Sequence, residues 1–269
     1  MSEPEVEERP RRRLKSPLNR ERLAELAVVV FGVLIALGLG SLADEIRLRG
    51  DARELETAFQ ADIEQAVMQA WERQQIAPCL AQRLVSLADR TAAPGPVEAA
   101  PAMRFPGATL DFALPVPYRA PTRLWTTSAF DRALGTEAFK RIPRARADAY
   151  AVLFAQIAER REANAAEFLA SAALAPLAYA DGDLNAEVRA DLLQQIAALD
   201  RHQTLALAVS GQLVRQAFEI PTTAPIRARI VRDQADLRAM VAKNRTDYGD
   251  CVDAASLDRL IEMAKAKPA

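Results

Sequence analysis

The stretch ELAVVVFGVLIALGLGSLADE, Glu25 to Glu45, constrains this chain more than any other part of it. It carries no charge between Glu25 and Asp44. As a helix rising about 1.5 Å per residue, Leu26 to Ala43 is about 27 Å long, close to the hydrocarbon thickness of a bilayer. A core helix of a soluble domain keeps a polar face at a spacing of about 3.6 residues. Here Val28, Val29, Val30, Phe31, Val33, Leu34, Ile35 and Leu37 cover every side. The pattern predicts a transmembrane helix over 23–43, with the lipid bilayer as its first partner.

The flanks set the expected orientation. Arg9, Arg11, Arg12, Arg13, Lys15, Arg20 and Arg22 precede the span, whereas Arg47, Arg49 and Arg53 after it are mixed with Asp44, Glu45, Asp51 and Glu54. Positive charge is retained in the cytoplasm, so a cytoplasmic N-terminus and an exported main domain are expected. For a bacterial chain this means a single pass of the inner membrane and a periplasmic domain. Ser41-Leu42-Ala43 has small residues at the two positions a signal peptidase reads, which makes cleavage after Ala43 the alternative. Against it, the apolar run exceeds the usual length of about 7–15 residues and continues into Asp44 without a helix breaker. Gly32, Ala36 and Gly40 form a small-xxx-small row, through which a second membrane helix could pack, from a partner protein or a second copy. Glycine and alanine are also simply common in membrane helices.

About 225 residues follow the span, enough for one domain with a real core. The net charge of −1 argues against nucleic acid as a partner. Glycine is scarce, alanine abundant, and arginine far outnumbers lysine, a bias that suits helices and a GC-rich bacterial genome. The fold class expected is all-α: a transmembrane helix continuing into an exported antiparallel helical bundle of about four long helices plus short ones. Residues 1–22 have the composition of a disordered cytoplasmic tail. Residues 44–90 form a long stalk and bundle helix, with Ala52, Leu55, Phe59, Ile63, Ala66, Val67 and Ala70 three and four apart and a kink expected at Pro78. The proline-rich segment 91–122 is an extended connector. A helical bundle occupies 123–250, with short helices near Leu124–Leu134 and Glu137–Arg141 and long ones over about Pro143–Tyr179, Asn185–Glu219 and Pro225–Tyr248. Residues 251–269 are a C-terminal tail with a short helix.

Cys79 and Cys251 are the only cysteines, both in the exported part. An isolated pair in an oxidising compartment is often bridged, and a Cys79–Cys251 disulfide is expected, two buried free thiols being the alternative. Without C-x-x-C, zinc and thioredoxin-like chemistry are not expected.

No catalytic constellation is visible: G-x-S-x-G is absent, and the one histidine, His202, lacks a serine or cysteine partner. DGDLNAE, Asp181 to Glu187, departs from a calcium loop at its sixth and twelfth positions and predicts a turn in which Asp183 or Asn185 caps a helix. No cofactor and no metal are expected. The apolar stripes, however, contain gaps: Arg161 and Asn164 in the first long helix, His202 and Gln203 in the second, Asn244 in the third. A hairpin about Gly182 would put Arg161 and Gln203 at one height. Together the five residues would make a polar layer able to hold a small anion, or a face where the stripes twist out to solvent.

ELAVVVFGVLIAL, Glu25 to Leu37, resembles the opening of a broad group of uncharacterised bacterial single-span membrane proteins with an exported helical domain. RLWTTSAFDRAL and ADAYAVLFAQI are similar to a segment of the same group. Its members usually carry a tryptophan soon after the span, where this chain has Ile46 to Leu48. The resemblance implies the architecture above and assigns no functional residue. The expected role is that of an interaction, structural or accessory subunit, with a periplasmic small-ligand-binding bundle as the alternative.

Overall fold

The computed structural model describes residues 20–98, 117–121, 123–180 and 182–266. The tail up to residue 19, most of the proline-rich connector, Asp181 of the DGDLN turn and residues 267–269 lie outside the described residues. Of the described residues 82% are helical, and no strand occurs among them. The helices are α1 (Arg20–Ala92), α2 (Ser128–Ala133), α3 (Arg144–Ala172), α4 (Pro176–Tyr179), α5 (Ala186–Glu219), α6 (Ala224–Arg232), α7 (Gln234–Tyr248) and α8 (Ser256–Lys265). Short 3-10 turns occupy Phe139–Arg141 and Pro221–Thr223.

The chain divides into two units, Met1–Gly50 and Asp51–Ala269. In the first, the most apolar 18-residue window of α1 has a mean hydropathy of 2.6 and none of it is buried. Among the described residues this is the one helix long and apolar enough to cross a membrane. Side chains such as Val28 and Phe31 have no protein surface to cover them, so in water they would expose apolar area that lipid can take up. A Cβ added at Gly32 or Gly40 would meet no heavy atom within 4 Å, so the small-residue row is open to a neighbour.

The second unit holds the core. From α1 it takes Ala52, Phe59, Ile63, Ala66, Val67, Ala70 and Trp71, the three-and-four spacing that puts side chains on one helix face. Phe59 lies at the centre of an aromatic group, with edge contacts to Tyr150 at 5.2 Å and to Phe130 and Phe154 at 5.5 Å. Edge-on rings set the positive rim of one against the negative face of the next. α3 and α5 pack along one another.

Several boundaries differ from the sequence expectation. α1 runs through Pro78, as the stalk helix over 44–90 implies, and ends at Ala92. Nearby carbonyls are taken up from elsewhere: Asp253 N–H donates to Gln75 O at 2.8 Å and Gln203 Nε2 to Ala77 O at 3.4 Å. The helix from Pro143 ends at Ala172, because Pro176 has no N–H to continue the ladder; Ala173 and Leu174 tighten to i−3 bonds and Pro176 starts α4. The last long helix is split at Asp233, whose carboxylate accepts from Arg232 at 2.9 Å and lies 3.3 Å from Arg229. The segment after residue 250 is no tail: Leu257, Leu260, Ile261 and Ala264 of α8 are buried in the core, and Trp71 Nε1 donates to Ser256 O at 3.2 Å.

Cys79 and Cys251 are bonded, with Cα atoms 5.0 Å apart and a sequence separation of 172. Closing so long a loop removes much of the freedom of the unfolded chain, by about 5 kcal/mol in the chain-entropy limit. Reduction with dithiothreitol, or a Cys79→Ser/Cys251→Ser double variant, is expected to lower stability by about 2–5 kcal/mol. Urea unfolding of the detergent-solubilised chain followed by circular dichroism checks this; an unchanged midpoint would mean the bridge constrains nothing.

Candidate functional site

The core of the second unit is two apolar clusters, not one. Along α1 the first ends at Trp71 and the second begins at Ile76; along α5 the second ends at Leu199 and the first begins at Leu213. Between them lies a belt of buried polar side chains: Glu72, Arg73 and Gln75 from α1, Arg160 and Glu167 from α3, Gln203 and Ser210 from α5, and Asn244 from α7. Arg73 and Glu167 are each 1% exposed and Arg160 is 2% exposed. Charges so far from water persist only when paired and hydrogen-bonded.

The pairing is specific. Arg73 Nη2 donates to Glu167 Oε1 at 2.5 Å, and the Tyr118 hydroxyl donates to the same oxygen at 2.5 Å. Arg160 Nε donates to Ser210 Oγ at 2.8 Å, and its guanidinium sits 4.8 Å from the centre of the Trp125 ring, a cation–π contact. Asn244 Nδ2 donates to Gln75 Oε1 at 3.1 Å. Glu72 is held by Arg123 from outside the belt, which leaves the guanidiniums of Arg73 and Arg160 with the one carboxylate of Glu167. Burial, reinforced by the charge of Arg73, pushes the Arg160 guanidinium down to about 10. Burial and the neighbouring Glu167 carboxylate push the Tyr118 hydroxyl well above the usual tyrosine range. Among the described residues, Glu167 Oε2, Arg73 Nε and Nη1, and Arg160 Nη1 are buried without a hydrogen-bond partner.

A cavity of about 530 Å³ opens beside the belt. Tyr118 and Glu167 line it, so the buried ion pair meets it directly. Its walls carry both signs of charge. Arg123 holds Glu72 with two bonds, 2.8 and 2.5 Å long, and Lys243 holds Asp247 at 2.5 Å. Arg119 stands 5.8 Å from the centre of the Tyr248 ring, and Phe168, 58% exposed, completes an aromatic edge.

The structure distributes the sequence-derived candidates unevenly. Gln203 and Asn244 are buried in the belt, and Asn164 is half-buried on the cavity wall. His202 is half-buried, and Arg161 is exposed, its Nη1 3.4 Å from Thr127 Oγ1. The arginine that enters the belt is Arg160. One residue along a helix is a rotation of about 100°, enough to exchange core for solvent. Nor does Arg160 face Gln203: it faces Ser210, about two turns further along α5. Ser210 lies further along α5 than the position a symmetric hairpin about Gly182 would set opposite Arg160. Asn185 does cap α5, its side chain accepting from Val188 N–H at 2.8 Å. Arg73, Gln75 and Glu167 lie outside the polar layer expected from the sequence, and Tyr118 joins them in the belt. The run Glu72-Arg73-Gln74-Gln75 between Trp71 and Ile76 is a gap in the α1 stripe and was the available signal. No cluster of His, Cys, Asp or Glu able to hold a metal occurs among the described residues.

No protein family, curated protein or solved structure matches this chain.

Truncating Glu167→Ala leaves Arg73 buried and uncompensated and is expected to cost about 3–5 kcal/mol. The volume-matched double change Arg73→Met/Glu167→Leu is expected to cost clearly less than that single truncation. Chemical denaturation of the three proteins decides this, and a double change that costs as much as the single one or more would refute it. Tyr118 also gives stability a pH dependence of known sign. Its folded-state value is raised, so its contribution is complete below pH ~10 and is lost as pH rises. A Tyr118→Phe variant should therefore lose stability less steeply than the parent above pH ~10, measured by unfolding at stepped pH.

Proposed function

We propose that this chain is a non-enzymatic, membrane-anchored protein that displays an antiparallel helical bundle on the outer face of the bacterial inner membrane. There it serves as an accessory or interaction subunit for a membrane partner or for a second copy of itself. The observation that carries the reading is the wholly unburied apolar window of α1 in the same chain as a disulfide-closed helical unit. The first suits lipid and the second suits an oxidising compartment. Arginines before the span and mixed charge after it support the same orientation. The cavity beside the ion pair favours a second reading, that the exported unit binds a small ligand, since ligand sites are concave and carry a few convergent polar groups.

The test joins topology to company. Alkaline phosphatase fused after Ala269 is expected to be active, and an N-terminal tag is expected to stay on the full-length chain. Purification from native membranes in mild detergent is expected to bring down a stoichiometric membrane protein or a homodimer. An inactive fusion would overturn the orientation, loss of the N-terminal tag the anchor, and a bare monomer the accessory role.

A further inference from the structure

We propose that the cavity over Tyr118 and Glu167 binds a small zwitterion, an amino acid or a close analogue with an ammonium and a carboxylate on one compact skeleton. The inference rests on the ligand-binding reading above and gives it a chemical class.

The floor selects the ammonium. Glu167 is 1% exposed, lines the cavity, and spends one oxygen on both Arg73 and Tyr118. Its second oxygen, Oε2, is buried with no partner among the described residues. Glu167 forms part of the cavity lining, so an ammonium seated against the Tyr118–Glu167 pair would meet the carboxylate's negative charge. Tyr118, Tyr248 and Phe168 add ring faces and edges of the kind that favour an ammonium.

The surroundings reject a plain amine. The wall carboxylates Glu72 and Asp247 are already held by Arg123 and Lys243. Behind the floor, Arg73 and Arg160 give the belt one positive charge more than Glu167 cancels. A ligand that brought only positive charge would add to that surplus in a low-dielectric setting. One that carries its own carboxylate places it towards Arg123 and Lys243, whose side chains are 43% and 66% exposed and can turn to it. The volume of about 530 Å³ admits a molecule of this size with room for a side chain.

The experiment is calorimetric titration and thermal shift on the full-length chain in detergent, with three probe sets. These are the L-amino acids, the amines putrescine and ethanolamine, and the carboxylates acetate and succinate. At least one amino acid is expected to bind and raise the melting temperature, with neither control set doing so. Lys243→Ala, on the exposed rim, is expected to weaken that binding about tenfold without changing the unliganded melting temperature, and Glu167→Gln to weaken it more. Should Glu167→Gln unfold, the Lys243→Ala comparison carries the test. Binding by the amines or carboxylates alone would overturn the zwitterion while leaving the ligand-binding reading. Silence from all three sets would overturn both. Amino-acid binding untouched by Lys243→Ala would place the site elsewhere and overturn the assignment.

Discussion

The buried pair between Arg73 and Glu167 is the interaction on which the rest of the second unit is arranged. It joins α1 to α3 at 2.5 Å where both side chains are sealed from water. An ion pair in such a place adds little net stability, because desolvating two charges offsets most of their attraction. It does penalise wrong arrangements. Sliding α3 by a turn against α1 would bury Arg73 without Glu167, at a cost of several kcal/mol. The pair thus fixes the register of two long helices whose apolar faces, rich in alanine, would accept several. Tyr118 reinforces the choice by donating to the same carboxylate oxygen, which brings the end of the connector to the same point.

The belt around this pair also divides the core. Aromatic packing about Phe59 fills one side, and the leucine-rich group of Leu84, Leu174, Leu177 and Leu199 fills the other. Apolar contact is non-directional, so neither cluster alone specifies which helix face meets which. The directional bonds between them do, and the disulfide adds a second fixed point within the Ile76–Leu87 cluster. A cavity placed against the belt therefore has a floor whose polar groups are set by directional bonds and walls that carry paired charges of both signs.

Much of this was legible in the sequence, for definite reasons. Eighteen consecutive residues without charge and without a polar face mark a helix long and apolar enough to cross a membrane, and that signal is local. The heptad-like spacing from Ala52 to Ala70 fixes a buried face from one helix alone. Asn185 before a helical run is a cap whose partner, Val188 N–H, lies three residues away. Two cysteines admit a single intramolecular pairing. The gaps in the α3, α5 and α7 stripes pointed to polar residues inside the unit, and Gln203 and Asn244 are among those buried.

What escaped was whatever depends on how one helix is turned and slid against another. Arg160 and Arg161 are adjacent in sequence and opposite in environment, and only packing against α5 and Trp125 settles which is buried. The partnership of Arg73 with Glu167 spans 94 residues, and no periodicity reports a contact at that distance. Helix ends moved where proline chemistry met tertiary neighbours: Pro176 stopped a helix, whereas Pro78 did not. The sequence by itself determined the apolar span, the helical class, the buried faces and the sole cysteine pair, because each follows from spacing along one element. The tertiary structure alone decided the register, the charge pairing and the cavity, because those are set by distances between elements that the chain brings together only on folding.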